Sequence, residues 1–390
     1  MRDAEDIPRS AFVPRNRGSV GWHDRCSPVC ELKAALLLMT CGLAACGSAP
    51  DARRGADLET VSAKPACEPG EGAVVLASLP HFGSPSVLGL DSTYVYWSHD
   101  GVVLRVPKAG GAIEDFAKSW GAENVKTLVS DDEYVYFNGL DSRMTKIPRR
   151  GGPPTVLTSG ELGPVAIDAT DIYIAEEGAG TIGRLPKSGG NWRAVVSVDA
   201  PGHGRTEILT LQGDYVYWAS SSPPFVQRVP KAGGHVESLP IDGYAFSIAS
   251  DASHLYAAIG SYNGGPGGGI VATALDGSGK PRSLAPVEAS GPIAIDATHV
   301  YIAGVTNVWT VAKTGGPVTP LVPNERAFAI ATDGECVYWA RSASGSDGSP
   351  GAIVRAPRAP DLPPLSRRQC PEAKRPTTST RSAEPDLELR

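Results

Sequence analysis

The chain has 390 residues, 45 of them glycine and 34 proline, with 36 basic against 42 acidic side chains and a net charge of −6. That balance leaves no basic footprint for nucleic acid. With 41% hydrophobic residues the chain can bury a core, so the glycine and proline point to many turns rather than to a low-complexity polymer.

Taken in chain order, residues 1–24 carry Asp3, Glu5, Asp6 and Asp24, whereas export signals open on basic residues. They are expected to lie outside the mature protein, with translation starting downstream at Val20 or Val29. Met1 on an intact precursor would refute this. Residues 25–45 read as a signal peptide: the apolar run from Ala34 to Ala45 is too short to span a bilayer comfortably. It ends in Leu43-Ala44-Ala45-Cys46, which resembles a bacterial lipobox. That resemblance implies lipid on Cys46, a cell-envelope location and, because Gly47 rather than Asp follows, the outer membrane. Residues 46–71 are small, polar and charged and are expected to form the lipidated cysteine and a flexible tether.

From residue 72 onward the chain repeats itself seven times. Each repeat holds a triplet centred on a tyrosine: Tyr96, Tyr136, Tyr173, Tyr217, Tyr256, Tyr301 and Tyr338, as in Val95-Tyr96-Trp97. The steps between them are 40, 37, 44, 39, 45 and 37 residues. An Asp precedes each triplet (Asp91, Asp131, Asp168, Asp251, Asp296, Asp333), except that the fourth repeat has Gln212. Downstream comes a run such as Arg105-Val-Pro-Lys-Ala-Gly-Gly111, well kept in the first four repeats and weaker afterwards. Repeats of about 40 residues with strand-like alternation predict a β-propeller.

Each repeat reads as four strands, a to d. The Asp opens the a–b turn, where its carboxylate accepts backbone N–H bonds. Strand b carries the triplet, strand c ends at Pro, and the Gly-Gly pair turns into strand d. The seventh repeat lacks strand d, while an unpaired strand, Ala73 to Ser78, precedes the first. The prediction is therefore an all-β, seven-bladed propeller over 72–358, closed by the N-terminal strand completing the last blade. A six-bladed ring, with the degraded fifth repeat as an outlier, is the alternative. The basic runs, such as Pro148-Arg-Arg150, are expected to be solvated hairpins on the rim, and the aspartates turn caps rather than a metal array. Residues 359–390 read as a disordered tail.

The Asp-x-x-x-Val-Tyr-Trp pattern resembles the YWTD repeats of low-density-lipoprotein-receptor-type propellers. It is more similar still to an uncharacterised bacterial envelope propeller family in which Val-Tyr-Trp and Arg-Val-Pro-Lys-x-Gly-Gly recur. One departure matters. Ser98-His99 stands where the receptor repeats have Thr-Asp, so the blade-bridging role of that Asp does not carry over.

Beyond Cys46, the cysteines Cys67, Cys336 and Cys370 all map to the seventh blade. A ring-locking disulfide is expected, Cys67–Cys336 being favoured slightly over Cys67–Cys370 because the sheet holds Cys336. The d–a and b–c loops share one face, and the tether joins on the other. Binding-face candidates there are Phe82, Trp120, Asn124, Arg205, Tyr244, Tyr262, Arg326 and Arg341, aromatics mixed with charge. No Gly-x-Ser-x-Gly, His-Glu-x-x-His or phosphate loop occurs. The expected function is a lipid-anchored, non-catalytic binding or scaffold module, with no cofactor or metal and a protein or small ligand at the loop face. The alternative is a periplasmic lyase or lactonase, with His81, His99 or His203 and Glu207 or Glu288 as an acid–base pair at the mouth.

Overall fold

A computed structural model describes residues 67–361, apart from 69, 80–84, 86, 119–124, 140–141, 178–179, 198–205, 222–223, 242, 261–267, 287–290 and 344–349. The expected signal peptide, Cys46, most of the tether and the tail beyond 361 lie outside the described residues. Within them the chain forms seven four-stranded antiparallel sheets. Blade 1 runs Leu88–Leu90, Tyr94–His99, Val102–Pro107 and Glu114–Lys118. The fifth repeat, weakest in sequence, is a complete blade: Tyr244–Ser250, His254–Gly260, Gly269–Ala274 and Arg282–Pro286. The six-bladed alternative is therefore excluded. Each inner strand neighbours the next, and the last neighbours the first, so the blades close a ring.

The triplet explains how the ring is cemented. Alternate side chains of a strand leave opposite faces of its sheet. Val95 and Trp97 therefore pack towards blade 7, in one cluster with Leu76, Tyr338 and Ile353. Tyr96, between them, packs towards blade 2 with Val135, Phe137 and Ile147. The same division recurs around the molecule. The core is thus distributed into clusters, each between two blades. The central tyrosines are buried, with exposures of 0–3%.

Polar bonds repeat with the same period. Asp91 Oδ1 accepts the N–H groups of Thr93 and Tyr94, each at 2.6 Å, and Oδ2 accepts the Tyr96 hydroxyl at 2.6 Å. Asp131, Asp251, Asp296 and Asp333 repeat both contacts. The Lys or Arg that follows the end of strand c then reaches back to the preceding blade. Lys108 bonds Asp333 at 2.7 Å, Arg149 bonds Asp91 at 2.5 Å, Lys187 bonds Asp131 at 2.8 Å, Lys231 bonds Asp168 at 2.9 Å and Lys313 bonds Asp251 at 2.8 Å. The expectation of solvated rim hairpins is corrected here. These cations are mostly shielded between blades, Lys108 being 7% exposed, because each carries its charge onto a carboxylate of the neighbouring blade. The aspartates cap turns and also bridge blades.

Electrostatics follow. Burial opposes ionisation of Asp168, but the Asp171 N–H, the Lys231 ammonium and the Thr170 N–H outweigh it and hold the carboxyl at about 2. Asp251 is likewise held low, burial being outweighed by Lys313 and the N–H groups of Ser253 and His254. Burial, then the adjacent carboxylate, pushes the Tyr96 and Tyr256 hydroxyls up.

Blade 7 closes the ring. Its strands are Ala327–Thr332, Cys336–Arg341, Gly351–Pro357 and, from the chain's beginning, Val74–Leu79. Val74 pairs with Arg355 and Leu79 with Gly351. Cys67 and Cys336 form a disulfide with a Cα–Cα distance of 5.8 Å. Cys370, the other candidate, lies outside the described residues.

Candidate functional site

Among the described residues, five inner strands carry a register shift at the same level, near the end reached by the d–a loops. The shifts skip Lys126 in blade 2, Gly163 and Pro164 in blade 3, Glu207 in blade 4, Phe246 in blade 5 and Phe328 in blade 7. A bulge leaves its extra residue out of the ladder and re-aims its side chain. The neighbours on either side stay buried: Val125 and Leu128, Leu162 and Val165, Leu209, Ala245 and Ile248, Ala327 and Ala329. Most of the bulged residues instead emerge at the mouth of the ring, although Gly163 stays buried. Phe246 is 37% and Phe328 38% exposed, and Glu207 is exposed as well.

The mouth has two characters. Over blades 2 to 4 it is charged and cleft-like. A cavity of about 610 Å³ is lined by Lys126, Thr127, Gly163, Pro164, Val165, Glu177, Thr206, Glu207, Ile208 and Leu209. Lys126 pairs with Glu177 at 2.8 Å. Asn138, fully buried, donates to the Gly163 carbonyl at 2.8 Å and so fixes the blade 3 bulge from blade 2. The approach is close at Gly163, where a Cβ would lie 3.0 Å from the Ala175 carbonyl oxygen. Over blades 5 and 7 the mouth is aromatic. Tyr244 and Phe246 meet edge to face at 4.5 Å, and the Arg326 guanidinium lies 5.3 Å from the Phe328 ring centre. Tyr244 links the two sides by donating its hydroxyl proton to Glu207 Oε2 at 3.1 Å.

Of the residues singled out in the sequence, the structure places Tyr244, Arg326 and Glu207 at this mouth. Arg341 has a different surrounding: its guanidinium grips Glu325, with Nε at 2.8 Å, and the same carboxylate accepts the Trp339 indole N–H at 3.2 Å. His99, on blade 1, lies 3.4 Å from Asp100, and Glu207 stands on blade 4 beside Tyr244. Their described partners are thus different residues. His81, His203, Glu288, Phe82, Trp120, Asn124, Arg205 and Tyr262 lie outside the described residues. Among the described residues no group of three His, Cys, Asp or Glu side chains could hold a metal ion.

Sequence reasoning missed Lys126, Phe246 and Phe328. The available signal was spacing. Buried residues three apart, such as Val125 and Leu128 or Ala245 and Ile248, interrupt the period of two and mark a bulge between them.

No family model matches the chain, and no curated protein matches it. Solved structures do resemble it. YCF48 bound to a D1 peptide is 13% identical, with a TM-score of 0.56 over 74% of this chain and 97% of that one. YCF48 from Cyanidioschyzon merolae is 14% identical, with a TM-score of 0.55 over 73% and 98%. The WD40 propeller domain of Doa1 is 14% identical, with a TM-score of 0.54 over 73% and 96%. At these identities the likeness is one of fold, and the chain is a seven-bladed β-propeller.

Proposed function

We propose that the chain is a lipid-anchored, non-catalytic binding module of the bacterial cell envelope that takes a protein partner on its loop face. The observation that carries this reading is the set of inner-strand bulges. They expose Phe246 and Phe328 at the mouth beside the charged cleft of Lys126, Glu177 and Glu207. Aromatic anchors next to charge, on a rigid scaffold, are what protein recognition uses. That a propeller of the same fold is known with a peptide bound adds support.

Two further features bear on location. The Cys67–Cys336 disulfide suits an oxidising compartment. It also holds Cys67 at the turn face, opposite the mouth, so a tether from Cys46 would leave the loop face pointing away from an outer membrane. Replacing Cys46 by Ala should release the protein from the membrane fraction; continued membrane retention would remove the lipid anchor from the proposal.

The partner claim is tested with a photo-crosslinking residue placed at position 246 or 328 in cells, compared with the turn-face position Glu335. One discrete adduct from the mouth positions, lacking at Glu335, is expected. Equal labelling from both faces, or none from the mouth, would overturn the reading.

A further inference from the structure

The repeats supply a template for a second site, on the opposite face and independent of the mouth. In blade 1, Arg105 stacks 4.2 Å from the Tyr94 ring centre and donates to the carbonyl of Arg149 in blade 2 at 2.5 Å. Lys146 lies 4.5 Å from the Tyr134 ring centre and donates to Lys187 at 2.6 Å. Arg228 lies 4.6 Å from the Tyr215 ring centre and donates to the Leu275 carbonyl. Arg355 donates to Lys108 at 3.2 Å. In blade 5, where strand c has Ala272 cross-strand from Tyr256, Arg282 of strand d serves the same place, reaching the carbonyls of Lys313 and Thr314 at 2.6 and 2.7 Å. A side-chain cation therefore fills these inter-blade grooves and satisfies the next blade's backbone.

The groove between blades 6 and 7 departs twice. Its strand-c position is Thr310, cross-strand from Tyr301 as Arg105 is from Tyr96. Its stacking position is His299. The cation owed to Asp296 is also diverted, because Arg358 sits bidentate on Asp361 at 2.6 and 3.0 Å. Asp296 instead takes the Tyr301 hydroxyl at 2.5 Å and two N–H groups. What remains is a cavity of about 320 Å³ walled by His299, Thr310, Leu321, Pro320, Ala359 and Pro360, among others. His299 is 5% and Thr310 6% exposed, and the buried Thr310 hydroxyl has no hydrogen-bond partner among the described residues. That volume lies at the small end of ligand pockets, whose range begins at about 300 Å³.

We infer that this groove is a receptor for an arginine side chain of a polypeptide partner, which enters the place that the chain's own Arg or Lys fills in other grooves. The guanidinium stacks on the His299 ring, and the aliphatic stem lies along Leu321 and Pro320. The Thr310 hydroxyl and the blade 7 backbone accept its protons.

The test uses the full chain with Nα-acetyl-arginine amide and its neutral isostere Nα-acetyl-citrulline amide as probes, read by calorimetry and by NMR shifts of the His299 ring. The arginine probe should bind and perturb His299, with the citrulline probe at least about tenfold weaker, as expected for a charge-assisted hydrogen bond. Thr310→Arg, which supplies the cation in cis, should abolish probe binding and raise Tm. Should that variant fail to fold, His299→Ala removes the stacking face without adding volume and should weaken the probe severalfold. Equal affinity for the two probes, or affinity untouched by these substitutions, overturns the inference. A rise in probe affinity on replacing Arg367 and Arg368 by Ala would assign the groove to the chain's own tail and overturn the partner.

Discussion

At the scale of single residues, the repeated Asp carries three or four of these bonds at once, and its value is visible where it is lost. Blade 4 has Gln212 at that position and blade 5 has Leu275 where the bridging lysine stands elsewhere. The two changes are matched, since a lysine without its carboxylate would leave a charge shielded and unpaired, which is costly. Leu275→Lys alone is therefore expected to lower stability. Adding Gln212→Asp should recover it, with a coupling of about 1 kcal/mol in a double-mutant cycle of denaturant melts. The remaining aspartates make stability acid-sensitive. Asp168 is held at about 2 when folded, against about 3.9 unfolded. A depressed folded value means that the carboxylate stabilises above the unfolded value and that this contribution fades as pH falls through the folded one. Tm should thus decline on acidification from about pH 4 to about pH 2, and Asp168→Asn should flatten part of that slope. A wild-type Tm unchanged over that window would refute the assignment.

At the scale of elements, the inner strand is where fold and candidate site meet. Its turn end is regular and capped by the Asp, whereas in five blades its loop end is bulged. Gly291, at the loop end of blade 6, shows how tight this region is: a Cβ would come to 1.8 Å from the Ala303 carbonyl oxygen. Backbone cannot yield as a side chain tip can, so Gly291→Ala should destabilise by about 1–3 kcal/mol in chemical denaturation. By contrast, Phe246→Ala and Phe328→Ala should change stability by less than about 1 kcal/mol, because both rings are part-exposed, while weakening partner capture. Loss of folding in either variant would recast these rings as core. Much of this element was legible in the sequence. The Asp, the triplet and the Gly-Gly turn each follow from local chemistry, and so did the four-strand blade. The bridging role of Lys108 and its counterparts was not legible, because it depends on which blade stands beside which. The mouth was legible only in part: Tyr244 and Arg326 announced themselves by residue type, while Phe246 looked like any strand residue until the bulge turned it outward.

At the scale of the whole molecule, closure is the dominant fact. The first described strand completes the last blade, Lys108 of blade 1 bonds Asp333 of blade 7, and the disulfide spans 269 residues of sequence. Reduction, or replacement of Cys67 and Cys336 by Ser, is expected to cost about 2–5 kcal/mol, seen as a lower Tm and an earlier denaturant midpoint. Identical melts with and without reductant would mean that sheet pairing alone holds the seam. The closed ring also distinguishes this chain from open arrays of repeats, which unravel from their terminal units. A ring has no terminal unit. Amide exchange should accordingly begin at the grooves that lack the cation–aspartate bridge, between blades 4 and 5 and between blades 6 and 7, and not at the sequence ends. Reduction would leave the circle closed by non-covalent contacts alone, Val74–Leu79 on Gly351–Pro357 and Lys108 on Asp333, and the junction of blades 7 and 1 would then join the grooves that open first.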